Sequence, residues 1–211
     1  MTNLRNLLSN KPTIRRSATA AAVVVCLLVL GAIGIYNRIP ADTTEVAPES
    51  AEMVPAGIVM EESAPVQMTI PSLGITTEFE SPLGLLPSGE IEVPKSYEKV
   101  AYYGYGPTPG ELGPAVILGH VDSYQGPAVF FGLGQLEEGD EIKIEREDGT
   151  TAVFAVTRLE RHMQSGFPTR EVYQDIDHAG LRLITCSGIY SHETMRYSHN
   201  LIVFAELVST E

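Results

Sequence analysis

The stretch EIKIEREDGTTAVFAVTRL, residues 141–159, decides the fold class of this chain. Its first part, Glu141–Glu145, alternates charged and apolar side chains, as a strand in a half-buried sheet does. Its last part, Thr151–Leu159, is rich in β-branched and apolar residues and is predicted as a second strand. Asp148-Gly149 lies between them and supplies the positive φ angles of a tight turn. The sequence therefore predicts a β-hairpin here.

Similar short runs lie on both sides of this hairpin, and Gly and Pro residues separate them. The clearest additional strands are Val66–Ile70, Ala115–Leu118, Leu181–Thr185 and Leu201–Leu207. No long segment after residue 65 has the 3.6-residue apolar period of a helix, although Pro168–Tyr173 fits one or two helical turns. Many short strands with few helices favour a mainly β domain over residues 66–211, either a closed barrel or a sandwich.

Residues 18–36 form a run of 19 uncharged and mostly apolar residues. At about 1.5 Å per residue, a helix over this run spans roughly 30 Å, the thickness of the hydrocarbon core of a bilayer. Signal peptides have a shorter apolar region of about 7–15 residues, and Asn37–Ala41 is a poor cleavage site. Lys11, Arg15 and Arg16 before the run predict a cytoplasmic N-terminus at residues 1–17. We therefore expect one N-terminal transmembrane helix and an extracellular body.

The acidic charge of the chain lies beyond this run. Residues 41–211 hold nine of the 14 basic residues and all 27 acidic ones. An acidic body of this kind repels phosphate backbones, so the composition argues against a nucleic-acid partner. Residues 41–65 contain six acids, no base and three prolines. Such a segment buries too little apolar surface to offset chain entropy, so residues 37–65 are predicted to be a disordered acidic stalk.

The chain contains two cysteines, Cys26 in the apolar run and Cys186 far from it. This number and spacing exclude a disulfide framework and a Cys-rich zinc site. Cys186 follows the apolar residues Leu183-Ile184-Thr185 and precedes Ser187-Gly188, so it stands where a strand ends and can meet a ligand. A lone cysteine is more often a buried core residue than a nucleophile, and its position alone leaves both interpretations open.

His120 occupies a similar position after the predicted buried strand Ala115–Leu118. A thiol is a weak nucleophile at neutral pH because only a few per cent of it is thiolate. An imidazole can both accept and donate a proton at that pH, so a histidine within reach of Cys186 would activate it. The remaining histidines have an ordinary interpretation as solvated loop or strand-edge residues: His162, His178, His192 and His199.

Acyl transfer also needs a group that stabilises the negative oxygen of the tetrahedral intermediate. Arg196 opens the last predicted strand, ten residues after Cys186, and reaches the thiol if the two strands pair. Arg182 is the rival because its parity along the strand matches that of Ile184 and Cys186. The position of Arg196 makes it the preferred candidate, although most single arginines are simply solvated surface charges.

The local sequence around these residues is more specific than the residue types alone. LGHVD at 118–122 and LITCSG at 183–188 resemble the two signature segments of sortases, the cysteine transpeptidases of the bacterial cell surface. The resemblance covers nearly all of residues 66–211. Within the family, the motifs are most similar to those of the class E and class F sortases. The resemblance includes IPSLGI at 70–75, PGELGPA at 109–115, GPAVFF at 126–131, LEEGD at 136–140 and NLIVFA at 200–205.

This resemblance implies an eight-stranded sortase-type β-barrel with short helices, preceded here by the predicted transmembrane helix. It implies that Cys186 is the nucleophile, His120 the acid/base and Arg196 the oxyanion-holding arginine. One departure concerns the arginine. Four residues, Tyr197-Ser198-His199-Asn200, separate Arg196 from the apolar run that follows, so its register relative to the family pattern differs.

The implied reaction begins when the Cys186 thiolate attacks a carbonyl in the C-terminal sorting motif of an exported protein. The expected amine acceptor comes from a cell-wall precursor or a protein subunit. This chemistry requires no metal or organic cofactor. A single-pass anchor in the cell membrane would hold enzyme, substrate and acceptor close together, which raises their effective concentration.

Two alternatives belong to other functional classes. The first is another Cys–His acyl-transfer enzyme of the cell wall, such as an L,D-type transpeptidase, whose cysteine usually lies in a Ser-His-Gly-Cys-type stretch that Ile184–Ser187 does not match. The second is a non-enzymatic surface β-barrel that binds a partner, with His120 and Cys186 in structural roles. Alkylation of Cys186 in the folded protein at neutral pH distinguishes an enzyme from this second alternative, because a structural thiol reacts slowly or only on unfolding.

Overall fold

The computed structural model describes residues 57–211. The predicted cytoplasmic segment, the predicted transmembrane helix and the stalk up to residue 56 lie outside the described residues. Within residues 57–211, no helix is long and apolar enough to cross a membrane. The strands are β1 Pro65–Ile70, β2 Ile75–Glu78, β3 Ala101–Tyr102, β4 Gly113–Leu118, β5 Asp122–Ser123, β6 Gly126–Pro127, β7 Glu141–Arg146, β8 Thr151–Met163, β9 Ala179–Ser191 and β10 Arg196–Thr210, and the α-helix is α1 Thr169–Tyr173.

Eight of these strands form one curled sheet in the order β2-β1-β7-β8-β10-β9-β4-β3. The chain beyond β2 returns to the opposite edge, where the Glu80 amide donates to the Val100 carbonyl at 2.9 Å and the Leu83 amide donates to the Tyr102 carbonyl at 2.8 Å. These bonds join the chain that continues from β2 to the β3 edge of the sheet, which would otherwise present unpaired backbone groups. The expectation of a mainly β domain with eight strands in its main sheet and few helices is confirmed.

The sheet separates two apolar layers. Its inner face forms the main core, which includes Phe130, Phe154, Leu183 and Val203, all essentially inaccessible to water. Its outer face carries a smaller cluster in which Val172 of α1 packs with residues of β4, β9 and β10. Since alternate residues of a strand point to opposite faces, the neighbouring strands β4 and β9 contribute side chains to both layers. Their unbroken apolar runs follow from this double burial.

The predicted strands are all present, and several are longer than the sequence indicated. The hairpin of β7 and β8 forms as expected, and four residues, Glu147–Thr150, connect its strands. Only Gly149 in this loop has a positive φ, +83°, so the expectation of a turn with two positive φ angles was wrong. A type I turn followed by a left-handed glycine connects strands equally well. The helical interpretation of Pro168–Tyr173 is confirmed by α1.

The segment that precedes β1 packs against the domain. The Met60 amide donates to the Gly110 carbonyl at 2.8 Å, and the Met60 side chain contacts the main core. The Arg146 side chain is buried and donates to the Glu61 carbonyl and, at 3.4 Å, to the Thr150 hydroxyl. The predicted stalk therefore needs correction at its C-terminal end, because Met60 and Glu61 already make ordered contacts with the domain. The acidic and proline-containing composition of residues 41–65 gave no sign of these contacts in the sequence.

We predict that removal of residues up to 64 destabilises the domain. Without Glu61, the buried Arg146 guanidinium loses an acceptor, which costs roughly 1–3 kcal/mol. For a domain of this size each kcal/mol lowers the melting temperature by about 2–4 °C. Thermal unfolding followed by circular dichroism should therefore give a melting temperature several degrees lower for a protein that begins at Pro65 than for one that begins at Gly57. Equal melting temperatures would contradict the role assigned to residues 60–64.

Candidate active site

His120 and Cys186 are brought together by two neighbouring parallel strands. β4 and β9 pair in parallel up to Leu118 opposite Ile184. The ladder continues one step further, since the Gly119 amide donates to the Ile184 carbonyl at 3.2 Å. His120 and Cys186 each lie two residues beyond the last pair. Because adjacent strands lie about 4.8 Å apart, this register places the imidazole and the thiol level with each other, and both line one cleft.

The glycine before His120 allows this part of the chain to approach the core closely. A Cβ atom on Gly119 would lie 2.5 Å from the Phe130 ring, which is too short for any real contact. The ring is fully buried, and the Phe130 amide donates to the His120 carbonyl at 2.9 Å. The Gly-His sequence therefore fixes the histidine against the core while its side chain faces the cleft.

The imidazole of His120 is held by a segment far away in the sequence. Its Nε2 lies 2.7 Å from the Pro94 carbonyl oxygen. A carbonyl only accepts hydrogen bonds, so Nε2 carries a proton and Nδ1 is the acceptor in the neutral ring. The Tyr97 ring packs on the imidazole with 4.6 Å between ring centroids. The contacts with residues 94–97 thus orient the ring and leave Nδ1 as the nitrogen that can accept a proton.

The thiol of Cys186 is partly buried and lines the cleft. Burial raises the pKa of this thiol above its ordinary value, and the negative charge of Asp122 raises it further. A raised pKa lowers the thiolate fraction at neutral pH. The resting protein therefore holds a mostly neutral thiol, and proton transfer to a base is needed before Cys186 can attack a carbonyl.

The cleft has a volume of about 880 Å³. Its apolar lining includes Val93, Pro94, Ile184 and Met195. A predominantly apolar groove with a few polar groups at one point is typical of a ligand-binding site. The aromatic lining residues are Tyr97, Tyr124, Phe167, Tyr173, Tyr190 and Tyr197. The arrangement can hold an extended apolar peptide with one carbonyl beside Cys186.

A hydrogen bond connects the histidine side of the cleft to the cysteine side. The Tyr197 hydroxyl of β10 donates to Asp122 Oδ2, two residues after His120. This bond to the carboxylate, together with burial, raises the pKa of Tyr197 to about 12. The phenol therefore stays protonated throughout the physiological range and keeps donating to Asp122.

The two candidate arginines lie elsewhere. Arg196 opens β10 as predicted, but it is exposed, stands opposite Ser191 and does not line the cleft. Arg182 is buried on the outer face, where its guanidinium lies 4.7 Å from the centroid of the Phe204 ring. Burial lowers the pKa of Arg182 to about 10. The structure thus brings together His120 and Cys186 but neither arginine, and the oxyanion role of Arg196 stays a prediction.

Asn200 is the β10 residue that stands directly opposite Cys186, and it lines the cleft. Sequence reasoning missed it because the register depends on an extra residue in β9. There, Gly188 has a φ of +83°, and the Ile189 amide donates to the Ser198 hydroxyl at 2.9 Å. A β-bulge of this kind moves every following pair by one residue. In the sequence, Gly188 itself was the only sign of this bulge.

Comparison with protein-family models identifies the family of this chain. A family model described as the sortase domain matches residues 68–208, which is more than half of the chain. This match favours a sortase over an L,D-type transpeptidase or a non-enzymatic surface module. No curated protein is similar enough in sequence to be matched.

Solved structures with the same fold are also sortases. Sortase A from Corynebacterium diphtheriae has a TM-score of 0.54 and 22% identity, and the match covers 71% of this chain and 62% of that chain. Sortase C-1 from Actinomyces oris has a TM-score of 0.53 and 22% identity, with 69% of this chain and 73% of that chain covered. Sortase C1 from Streptococcus suis has a TM-score of 0.54 and 16% identity, with 70% and 74% covered. These neighbours share the fold, and they are sortases of classes A and C.

Proposed function

This chain belongs to the sortase family of cysteine transpeptidases, and on that premise we propose that it joins exported proteins to an amine at the cell surface. The substrate is the C-terminal sorting motif of an exported protein, which is cleaved through a thioacyl intermediate on Cys186. The observation that supports this proposal most is the cleft shared by Cys186 and His120 at the end of two parallel strands. We also propose that the chain is of the class E or class F kind, as its motifs predict.

The first half-reaction forms the thioacyl enzyme. His120 takes the thiol proton at Nδ1 as the Cys186 sulfur attacks the carbonyl carbon, which makes an imidazolium and a tetrahedral intermediate. The intermediate collapses when its carbon–nitrogen bond breaks and the departing amine receives the proton from His120. Orientation of the imidazole by Pro94 and Tyr97 supports this cycle, because general acid–base catalysis needs one fixed nitrogen near the reacting atoms.

The second half-reaction transfers the acyl group to an amine from a cell-wall precursor or a protein subunit. The amine nitrogen attacks the thioester carbon, His120 takes a proton from that nitrogen, and the carbon–sulfur bond breaks to return the electron pair to Cys186. Each of these steps is carried by side chains of this chain.

The negative oxygen of both tetrahedral intermediates needs hydrogen-bond donors. Arg196 remains the donor that the sequence predicts, and this role requires its exposed guanidinium to reach over the mouth of the cleft when substrate is bound. Asn200 is a second donor, supported by its position opposite Cys186. Its side-chain amide is neutral, so it complements a guanidinium and does not replace its charge.

Substitution of the site residues tests the proposed reaction. We expect Cys186→Ala to abolish the thioacyl adduct and the product, because the attacking sulfur is gone. His120→Ala should lower turnover by about 10²–10⁴. Arg196→Ala and Asn200→Ala should each lower it by about 10²–10³ if each donates directly to the oxyanion. Product formation is measured by mass spectrometry with a library of sorting-motif peptides and a mixture of amine acceptors.

Arg182→Ala is the matched arginine control, with its folded fraction measured by circular dichroism. Per folded molecule it should retain near-normal turnover, because Arg182 stacks on Phe204 away from the cleft. Normal turnover of Arg196→Ala would show that Arg196 does not stabilise the oxyanion. The proposed roles of Cys186 and His120 would be unaffected. Product formation by Cys186→Ala would end the proposal as a whole.

We further propose that residues 18–36 anchor the enzyme in the cell membrane as a single pass, with the catalytic domain extracellular. The support is the uncharged run with basic residues before it. Protease added to intact cells should release the domain by cutting N-terminal to Met60 and leave a small membrane-bound fragment. Recovery of an intact chain from protease-treated cells, with cleavage only after lysis, would contradict this topology.

A further inference from the structure

The cleft contains one carboxylate whose purpose the reaction described above does not explain. Among the described residues that line it, Asp122 is the only acid, and no lysine or arginine is present. The Asp122 side chain is partly exposed and accepts a hydrogen bond from Tyr197 across the cleft. It therefore faces the space in which both substrates must meet Cys186.

A negative charge at this position is unfavourable for the attack by sulfur. It raises the pKa of the Cys186 thiol and so lowers the thiolate fraction. It also repels the oxygen that becomes negative in each tetrahedral intermediate. A neutral side chain of the same shape would avoid both costs and could still accept the bond from Tyr197. The carboxylate is therefore expected to stabilise some other species in the cycle.

The species with the opposite charge is the nitrogen of the amine. When a neutral amine attacks a thioester, its nitrogen gains a full bond to carbon and becomes positive until it loses a proton. A carboxylate close to that nitrogen stabilises the positive charge, and in a partly dry cleft this interaction is stronger than in water. Hydrolysis is different, because the attacking water molecule passes a proton to His120 as the carbon–oxygen bond forms. Its oxygen therefore gains little positive charge, and the carboxylate stabilises this attack much less.

We propose that Asp122 forms an ammonium-binding subsite that accepts the incoming primary amine and favours aminolysis of the thioacyl enzyme over its hydrolysis. The inference rests on the proposed function, since it concerns the second half-reaction of that cycle. The amine binds as an ammonium ion against the carboxylate and loses one proton to solvent. Its lone pair then forms the carbon–nitrogen bond, and Asp122 balances the charge on nitrogen.

The remaining steps return the enzyme to its starting state. His120 takes the second proton from the nitrogen, and the electron pair of the breaking carbon–sulfur bond returns to the sulfur of Cys186. The amide leaves, and the imidazolium then protonates the thiolate. Asp122 changes neither its bonds nor its proton count in this sequence, so its contribution is electrostatic. Tyr197 keeps the carboxylate oriented towards the cleft.

The experiment measures how one thioacyl enzyme divides between two products. The full-length chain, purified in detergent, is acylated with the benzyl thioester of N-acetylalanine in the presence of glycinamide. The ratio of N-acetylalanyl-glycinamide to N-acetylalanine gives the partition between aminolysis and hydrolysis, and Cys186→Ala supplies the uncatalysed background. Only molecules that have formed the adduct contribute, so the ratio does not depend on the folded fraction of a variant. The adduct is located on the Cys186 peptide by mass spectrometry.

The variants separate charge from structure. Asp122→Asn keeps a hydrogen-bond acceptor and removes the charge, and we expect it to lower the partition ratio about tenfold, the usual difference between charged and neutral hydrogen bonds. Asp122→Glu restores the charge and should return the ratio to within about threefold of wild type. Glu145→Gln is the control for net charge, because this exposed carboxylate lies on β7, which β8 and β10 separate from β9; it should leave the ratio unchanged.

Two further readouts make the result specific. In Asp122→Asn the midpoint of the pH dependence of Cys186 alkylation should move to lower pH, which shows that the charge acts at the thiol. Tyr197→Phe keeps the carboxylate and loses only the hydrogen bond that orients it, so it should lower the partition ratio by less than Asp122→Asn does. A wild-type ratio in Asp122→Asn, or an equal fall in Tyr197→Phe, would overturn the subsite. Failure of the wild-type chain to form any thioacyl adduct would reject the proposed function and this inference with it.

Discussion

The parallel pairing of β4 with β9 is the interaction on which the rest of the described structure depends. Parallel strands cannot be joined by a tight turn, so a long connection must separate them in sequence. Here that connection contains β5 to β8 and α1, and it supplies much of the main core. Parallel strands also end on the same side of a sheet, so residues after their last pair lie together. His120 and Cys186 share one cleft for this reason, although 65 residues separate them in the chain.

The surroundings of this pair set its chemical state. Burial and the charge of Asp122 both raise the pKa of the thiol, so the resting cysteine is mostly protonated. A protonated thiol reacts more slowly with oxidants, because the thiolate is the reactive form. Activation then depends on His120, whose ring is held by the Pro94 carbonyl and by Tyr97. The segment around residues 94–97 thus belongs to the site as much as the two signature motifs do.

Much of this arrangement could be predicted from the sequence, and the failures have physical causes. The six predicted strands are present because their apolar patterns match their burial. An alternating pattern fits a strand that is buried on one face, and a continuous one fits a strand that is buried on both faces. Short strands such as β3 escaped notice, since two residues carry no period. The position of Asn200 opposite Cys186 depends on the bulge at Gly188, which changes register without changing composition. Arg182 shares the parity of Cys186, yet the Phe204 ring holds its guanidinium away from the cleft.

The most direct test of the account is the register of β4 against β9 at the site itself. Scalar coupling across a hydrogen bond, measured by nuclear magnetic resonance on an isotopically labelled protein of residues 57–211, identifies which carbonyl accepts from a given amide. The account predicts coupling between the Gly119 amide nitrogen and the Ile184 carbonyl carbon, which sets His120 level with Cys186. Coupling of Gly119 to the carbonyl of Leu183 or of Thr185 would contradict it, because a shift of one residue turns Cys186 to the opposite face of the sheet, away from His120.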